Sequence, residues 1–278
     1  MLTFYFVPAR AGSTRVLNKN FAPICGKKSL VDLKIQGIAP FASKPDDVIV
    51  LSTDASVTLN IPVPDNLIIH RRKPEHATAT SSINEAIEDF VSKYDEPWKM
   101  LVLNPTSPFL SVMHIVMALN ILSGDDAVLA VTEVTDRSYF QGQRYSGLYM
   151  PFTSLRPRTQ DVTVHEDCGA LYGFTSSYWT EFKKVPPSSW KDRLKPTPSI
   201  LLDQHSAFDI NTPHDFMMAK MFLSASEPDT PLVPHAPLTA PRPQVSVSEE
   251  LGNLTLSAPA VDVENANPDN ITIQWSKP

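Results

Sequence analysis

The chain has 278 residues, enough for one sizeable core with an appendage, and carries 24 Lys and Arg against 30 Asp and Glu, a formal net charge of −6. That balance argues against a general nucleic-acid binder, whose footprint is a basic face. Two cysteines cannot build a disulfide framework, no stretch stays apolar for the roughly 20 residues of a membrane helix, and the opening "MLTFYFVPAR" lacks the basic start of a secretion signal; the expected setting is reducing and cytoplasmic, with no membrane and no nucleic acid as partner.

In chain order, "LTFYFVPA" at 2–9 reads as a buried strand, "SLVDLKIQGIA" at 29–39 as a helix with apolar residues at three and four spacing, and "DDVIVLSTD" at 46–54 as a second strand. "NLIIHRR" at 66–72 follows, then the amphipathic "SSINEAIEDFVSKY" at 81–94, the strand "KMLVLNPTSP" at 99–108, the helix "VMHIVMALNILSG" at 112–124 and the strand "AVLAVTEV" at 127–134. This alternation predicts an α/β fold, a mostly parallel twisted sheet with helices on both faces. Residues 137–165 interrupt the alternation with aromatics and basic residues and read as an excursion from the sheet. The chain returns with the strand "CGALYGFT" at 168–175 and closes its core with "FDINTPHDFMMAKMFL" at 208–223, in which Thr212 is placed to cap a helix, Pro213 to start it and Asp215 to sit in its first turn. Pro228, Pro231, Pro234, Pro237, Pro241 and Pro243 then mark an extended linker. We therefore divide the chain into a core at 1–226 and a Pro-rich linker and tail at 227–278, with a possible docking strand near Trp275.

In such sheets ligands bind beyond the carboxyl ends of the strands, where the loops "PARAGSTR", "STD" and "NPTSP" gather. Positive charge is local: Arg10, Arg15 and Lys19 form one cluster, Arg71, Arg72 and Lys73 a second, and Arg156 with Arg158 a third. Any one of them alone reads equally as a solvated patch; three converging on one cleft call for an anionic small ligand. A glycine-containing loop after a strand is a natural phosphate cradle, its backbone N–H groups approaching the anion and its cations neutralising it. The loop is neither G-x-G-x-x-G nor a Walker A sequence, which argues against a dinucleotide-dependent dehydrogenase or a P-loop ATPase.

Taken together, "PARAGSTRVLNKNF" at 8–21, "VLSTD" at 50–54, "HRRKPEHATATSS" at 70–82, "LVLNPTSPFL" at 101–110, "RTQD" at 158–161, "CGALYGF" at 168–174 and "FDINTPHDF" at 208–216 resemble, in order, the motifs of the cytidylyltransferases that make CMP-activated sugar acids. The resemblance covers residues 3–222, and "SLRPRTQD" followed by "HEDCGALYGF" is most similar to the pseudaminic acid branch. It implies a Rossmann-like nucleotidyltransferase fold, a homodimer built by the excursion at 137–165, CTP and a sugar acid as substrates, and Mg²⁺ as cofactor. Carried over position by position, it implies that Arg10, Arg15, Lys19 and Asp209 serve catalysis, with the arginines and lysine on the triphosphate. It implies a nucleotide pocket of Ala9, Ala11, Gly12, Ser13, Asn20, Arg71, Ser82 and Asn104, a sugar-acid site of Arg158, Gln160 and Asp161, and a metal held by Asp209 and Asn211. Plain structural readings stand beside these: Ser82 as a helix cap, Asn104 as a turn residue before Pro105, Asp209 as the start of the last turn.

Three departures from the family pattern stand out. Thr14 is a variant at its position; Asn211 replaces the second carboxylate of a D-x-D pair, keeping an oxygen and losing a charge. "STDASVTLNIPVPDNLIIH" leaves little room for the helix that usually follows the second strand, which predicts a thinned sheet face. These departures keep open a second reading, a weakly catalytic nucleotide- or sugar-binding homologue acting as an interaction module through its tail.

Overall fold

The computed structural model describes residues 1–13, 15–133, 165–184 and 197–225, together with the backbone of short strands at 142–145, 148–151 and 271–273. Strand β1 (Leu2–Pro8) lies inside a seven-stranded sheet with β4 (Asp47–Thr53), β6 (Leu67–Arg71), β7 (Trp98–Leu103), β8 (Ala127–Glu133), β11 (His165–Thr175) and β12 (Ser199–Leu202), in the order β12-β8-β11-β7-β1-β4-β6. β1 pairs in parallel with β4 and β7, as do β4 with β6 and β8 with β12, while β11 runs antiparallel to both β7 and β8. The sheet is thus mostly parallel, as expected, with one reversed strand that the apolar run "CGALYGFT" did not betray, because both orientations bury both faces alike.

Successive side chains of a strand point to opposite faces, and β1 shows why its sequence lacks polar alternation. Tyr5 and Val7 face α1 (Leu30–Ile38) and α3 (Val112–Ile121), in a core that includes Val31, Ile35, Ile38, Ile115 and Ala118. Phe4 and Phe6 face α2 (Ile83–Val91) and α4 (Ser176–Lys184), packing with Ile87, Phe90, Val91 and Trp179. A strand covered on both sides must be apolar throughout. Close packing also explains Gly173: a Cβ there would sit 2.6 Å from Leu101 Cδ2 and 2.8 Å from Leu122 Cδ1.

Helix α1 starts where the sequence places it. Ser29 and Asp32 form a capping box, Asp32 accepting from Ser29 N at 2.8 Å and from Ser29 Oγ at 2.7 Å, and its other oxygen accepts from Asn60 N at 2.8 Å. A fully buried carboxylate is tolerable only with such partners. The last helix, α5 (Pro213–Ala225), is capped as expected, Asp215 accepting from Thr212 N at 2.7 Å and Thr212 Oγ1 accepting from Asp215 N at 3.2 Å. It packs Ala219 against Ile24, Cys25 and Leu30, where β2 (Pro23–Cys25) and β3 (Lys28–Ser29) form a small hairpin.

Between β4 and β6 there is no helix, as the short spacing predicts, but the sheet face is not left thin. Strand β5 (Val57–Leu59) brings Val57 and Leu59 there, followed by Ile61, all three buried in the same core as α1. The backbone of β13 (Ile271–Ile273), inside the segment read as a possible docking strand, pairs antiparallel with β5. Within the excursion, β9 (Gly142–Tyr145) and β10 (Leu148–Pro151) pair with each other as a separate ribbon. Thr14, Arg156, Arg158, Gln160 and Asp161 lie outside the described residues. Cys25 and Cys168 are thiols rather than a disulfide, and burial pushes the Cys168 thiol above its usual range. Among the described residues, no helix is long and apolar enough to cross a membrane.

Candidate active site

β1 is flanked by β4 on one side and β7 on the other, so connections leave it in both directions and a crevice opens beyond its carboxyl end. A cavity of about 250 Å³ lies there, lined by Pro8, Arg10, Ser13, Arg15, Lys19, Asn20, Arg72, Ser81, Ile83, Asn104, Pro105 and Thr106. The loops that leave β1 and β7 do converge there, joined by the segment that follows β6, and four of the twelve lining residues are cationic.

The opening loop is braced by its own polar groups. Ala9 is fully buried and its N–H bonds Ser52 O at 2.8 Å, Ala11 N bonds Asp54 Oδ1 at 2.8 Å, and Ser13 N bonds Ala11 O at 2.8 Å. Three of the N–H groups expected to cradle phosphate are therefore engaged within the protein, and Ala9 and Ala11 shape the loop instead of lining the cavity. The space over Gly12 is open, since a Cβ there would meet no atom within 4 Å. The cations supply the positive field. Arg10 donates from Nη1 to Thr78 O at 2.7 Å, Arg15 is exposed, and Lys19 donates from Nζ to the carbonyl of Ile210. Partial burial lowers the Lys19 pKa, opposed by the nearby Asp209 carboxylate.

Asn20 is buried and donates from Nδ2 to Arg10 O at 3.2 Å, while its Oδ1 is buried with no hydrogen-bond partner among the described residues. Nη2 of Arg72 is in the same condition. Buried polar atoms are almost always satisfied, so two unpartnered atoms on residues that line one cavity stand out, with Ser107 Oγ and His76 Nδ1 elsewhere the other such atoms among the described residues. Asn104 is held by the Gly169 carbonyl through its Nδ2, and Gly169 has the positive φ of 67° that places this carbonyl. Thr106 O accepts from Ile210 N at 2.9 Å, tying the loop after β7 to the segment of Asp209.

Asp209 is half-buried beside Lys19 and accepts from Asn211 Nδ2 at 2.7 Å. Asn211 N bonds Asp215 Oδ2 at 2.9 Å, so the Asp215 carboxylate is committed to the helix cap. Among the described residues no three His, Cys, Asp or Glu side chains gather as a metal cluster. A single carboxylate with an adjacent amide oxygen still fits Mg²⁺, which commonly takes one or two protein carboxylates and completes its octahedron with phosphates and water. For Asn211 to join, its amide must turn so that oxygen rather than nitrogen faces the ion.

Two expected positions are displaced by one residue. Arg71 is exposed, donates to Ala55 O at 2.7 Å and does not line the cavity; Arg72 does. Ser82 caps α2, accepting from Asn84 N at 3.2 Å, whereas Ser81 lines the cavity. Strand alternation accounts for the shift once the structure buries His70: Arg71 must then point out and the next residue back in.

Residues 5–140 match the model of a protein family described as "Cytidylyltransferase". The chain is 26% identical to a pseudaminic acid cytidylyltransferase of Campylobacter jejuni over 233 residues, covering 80% of this chain and 96% of that protein. It is 27% identical to an N-acylneuraminate cytidylyltransferase of Streptococcus agalactiae over 143 residues, 51% of this chain; there it spans only 33% of the relative's length. Among solved structures, CMP:2-keto-3-deoxy-manno-octonic acid synthetase complexed with CTP superposes with a TM-score of 0.55 at 13% identity, covering 81% of this chain and 99% of that one, a likeness of fold.

Proposed function

We propose, from the premise that this chain belongs to the cytidylyltransferase family, that it activates a nonulosonic sugar acid of the sialic or pseudaminic type with CTP, giving a CMP-sugar acid and pyrophosphate. The observation that carries the reading is the cationic cavity beyond β1, with the unpartnered Asn20 Oδ1 and Arg72 Nη2 in its wall. Its chemistry needs no covalent enzyme intermediate. The sugar's anomeric hydroxyl attacks the α-phosphorus, the new C–O–P linkage forms, and the bond to the leaving pyrophosphate breaks.

Positioning and charge stabilisation then supply most of the rate. Arg10, Arg15 and Lys19 sit where the β- and γ-phosphates would lie and gain strength as negative charge collects on the leaving group. Arg72, Asn20, Ser81 and Asn104 provide the donors and acceptors for the nucleoside. Asp209, with Asn211, would hold Mg²⁺, whose chemistry here is to neutralise phosphate oxygens. The sugar acid belongs with Arg158, Gln160 and Asp161, an arginine being suited to meet a carboxylate bidentately. We further propose a cytoplasmic homodimer, assembled through the segment at 137–165, whose Tyr139, Phe140, Tyr145, Tyr149 and Phe152 have the aromatic composition of interface cores.

The test is to incubate the protein with each nucleoside triphosphate and a panel of nonulosonic acids, reading pyrophosphate release and product mass. CTP with one sugar acid is expected to dominate, because a site hydrogen-bonding the exocyclic amine of cytosine leaves groups unpaired against uracil. Comparable turnover with UTP or ATP would overturn the assignment of the nucleotide.

A further inference from the structure

Behind Arg72, away from the cavity, polar groups cross an otherwise apolar layer between the sheet and α2. Arg72 Nε donates to Ser52 Oγ at 2.9 Å, Ser52 Oγ lies 3.0 Å from His70 Nδ1, and His70 Nε2 lies 3.0 Å from Asp89 Oδ2. Lys73 Nζ pairs with the other oxygen of Asp89. Ser52 is fully buried, His70 is 5% exposed and Arg72 8%, so water does not complete these bonds. The His70 ring is held by Phe6 and Phe90, its centroid 6.3 Å and 5.4 Å from theirs.

The direction of every bond follows from the two ends. A guanidinium can only donate and an ionised carboxylate can only accept. Asp89 is kept ionised: its partial burial works against that, but the bonds from Lys73 and His70 hold its carboxyl below the usual range. His70 must then carry its proton on Nε2, leaving Nδ1 to accept from the Ser52 hydroxyl. With its one proton so committed, Ser52 Oγ presents a lone pair to Arg72 Nε. Only neutral His70 satisfies all the members, and burial, opposed by Asp89 and assisted by Lys93 and Arg72, lowers its pKa in agreement.

We propose that Ser52, His70 and Asp89 are positioning residues, a one-directional hydrogen-bond line along the α2 face of the sheet that fixes the Arg72 guanidinium in the cavity wall and leaves Nη2, which has no partner among the described residues, for a ligand. The line rests on the nucleotide reading only for what Arg72 meets. None of the three touches the cavity, and Ser52, fully buried, is no nucleophile. Fixing an arginine beforehand removes the ordering cost that binding would otherwise meet, so the line acts on affinity for the nucleotide more than on the chemical step.

Two measurements on the full chain decide it. The imidazole ¹⁵N spectrum, taken without nucleotide at pH 7, is expected to show His70 neutral and protonated at Nε2; an Nδ1–H tautomer or an imidazolium overturns the line. Calorimetric titration with CTP is expected to give about tenfold weaker binding for Ser52→Ala, the loss of one hydrogen bond to a charged group. Asp89→Asn, changing only the outer end, is expected to raise KM for CTP about threefold with kcat nearly kept and to alter the His70 spectrum. Altered melting temperatures with unchanged CTP affinity and KM in both variants would reduce the line to a structural feature and overturn the proposal. If the spectrum is as expected but the wild type binds no CTP, the line stands and the nucleotide reading fails.

Discussion

The two walls of the cavity use their cations in opposite ways. On the loop wall, Arg10, Arg15 and Lys19 are exposed or half-buried and lean on backbone carbonyls or on solvent. On the inner wall, Arg72 is buried and held by a side-chain line; outside the lining, Lys34 of α1 is buried and donates to Ser107 O at 2.8 Å, next to the loop after β7. Exposed charges can follow a phosphate that changes position as a bond breaks, but salt screens them. Buried ones are hardly screened and cannot move, so they set geometry. Under the proposed reading, the reacting phosphates would belong to the loop wall and the unreacting part of the nucleotide to the inner wall.

The largest effect that would sharpen this contrast is expected at the end of the loop wall. Asp209→Ala should cost at least about 10² in turnover, in the range of losing one transition-state charge contact, while Asn211→Asp should lower the Mg²⁺ concentration for half-maximal rate. Initial rates across a Mg²⁺ titration check both. Unchanged metal dependence in the two variants would mean that "FDINTPHDF" only ends a loop and caps α5.

Lys34 tests the buried support of the loop after β7. Its burial lowers its pKa from 10.5 to about 7. The unfolded chain therefore binds more protons than the folded one between about pH 7 and pH 10.5, so stability should rise with pH through that window and level off at its lower value below about pH 7. Each tenfold difference in proton affinity between the two states corresponds to about 1.4 kcal/mol, so the rise amounts to several kcal/mol. Urea unfolding at pH 7 and pH 10 should show it in the wild type, and Lys34→Met should flatten the difference. An equal slope in both proteins would show that Lys34 is not the titrating group.

The smallest effect concerns Arg15. Because it is exposed, Arg15→Ala should raise KM for CTP only a few-fold at low salt, and the difference should shrink as ionic strength increases. The loss in Ser52→Ala should persist in the same salt series. Equal salt sensitivity in the two variants would break the division between a mobile and a fixed wall.

Much of this was legible in the chain itself. Apolar runs marked β1, β4, β7 and β8, three- and four-residue spacing marked α1, an amphipathic pattern marked α2, and Thr212 with Asp215 wrote the start of α5 into local sequence. These are short-range matters, governed by side-chain period and by caps within one turn. The loop cations were legible too, because a loop leaving a buried strand has nowhere to go but the cleft. What only the tertiary structure decided was which neighbour in a pair faces inward. Arg72 turns in because its N–H bonds Thr53 O at 2.9 Å, one step beyond the last residue of β6, and because Ser52 and His70 wait on the inner side. Likewise Ser82 caps α2 and Ser81 is left to the cavity, β11 runs against its neighbours, and β5 covers a face where a helix was missing. Each depends on partners distant in sequence, which a local pattern cannot encode: a one-residue change of register reverses every side chain while leaving the apolar pattern intact.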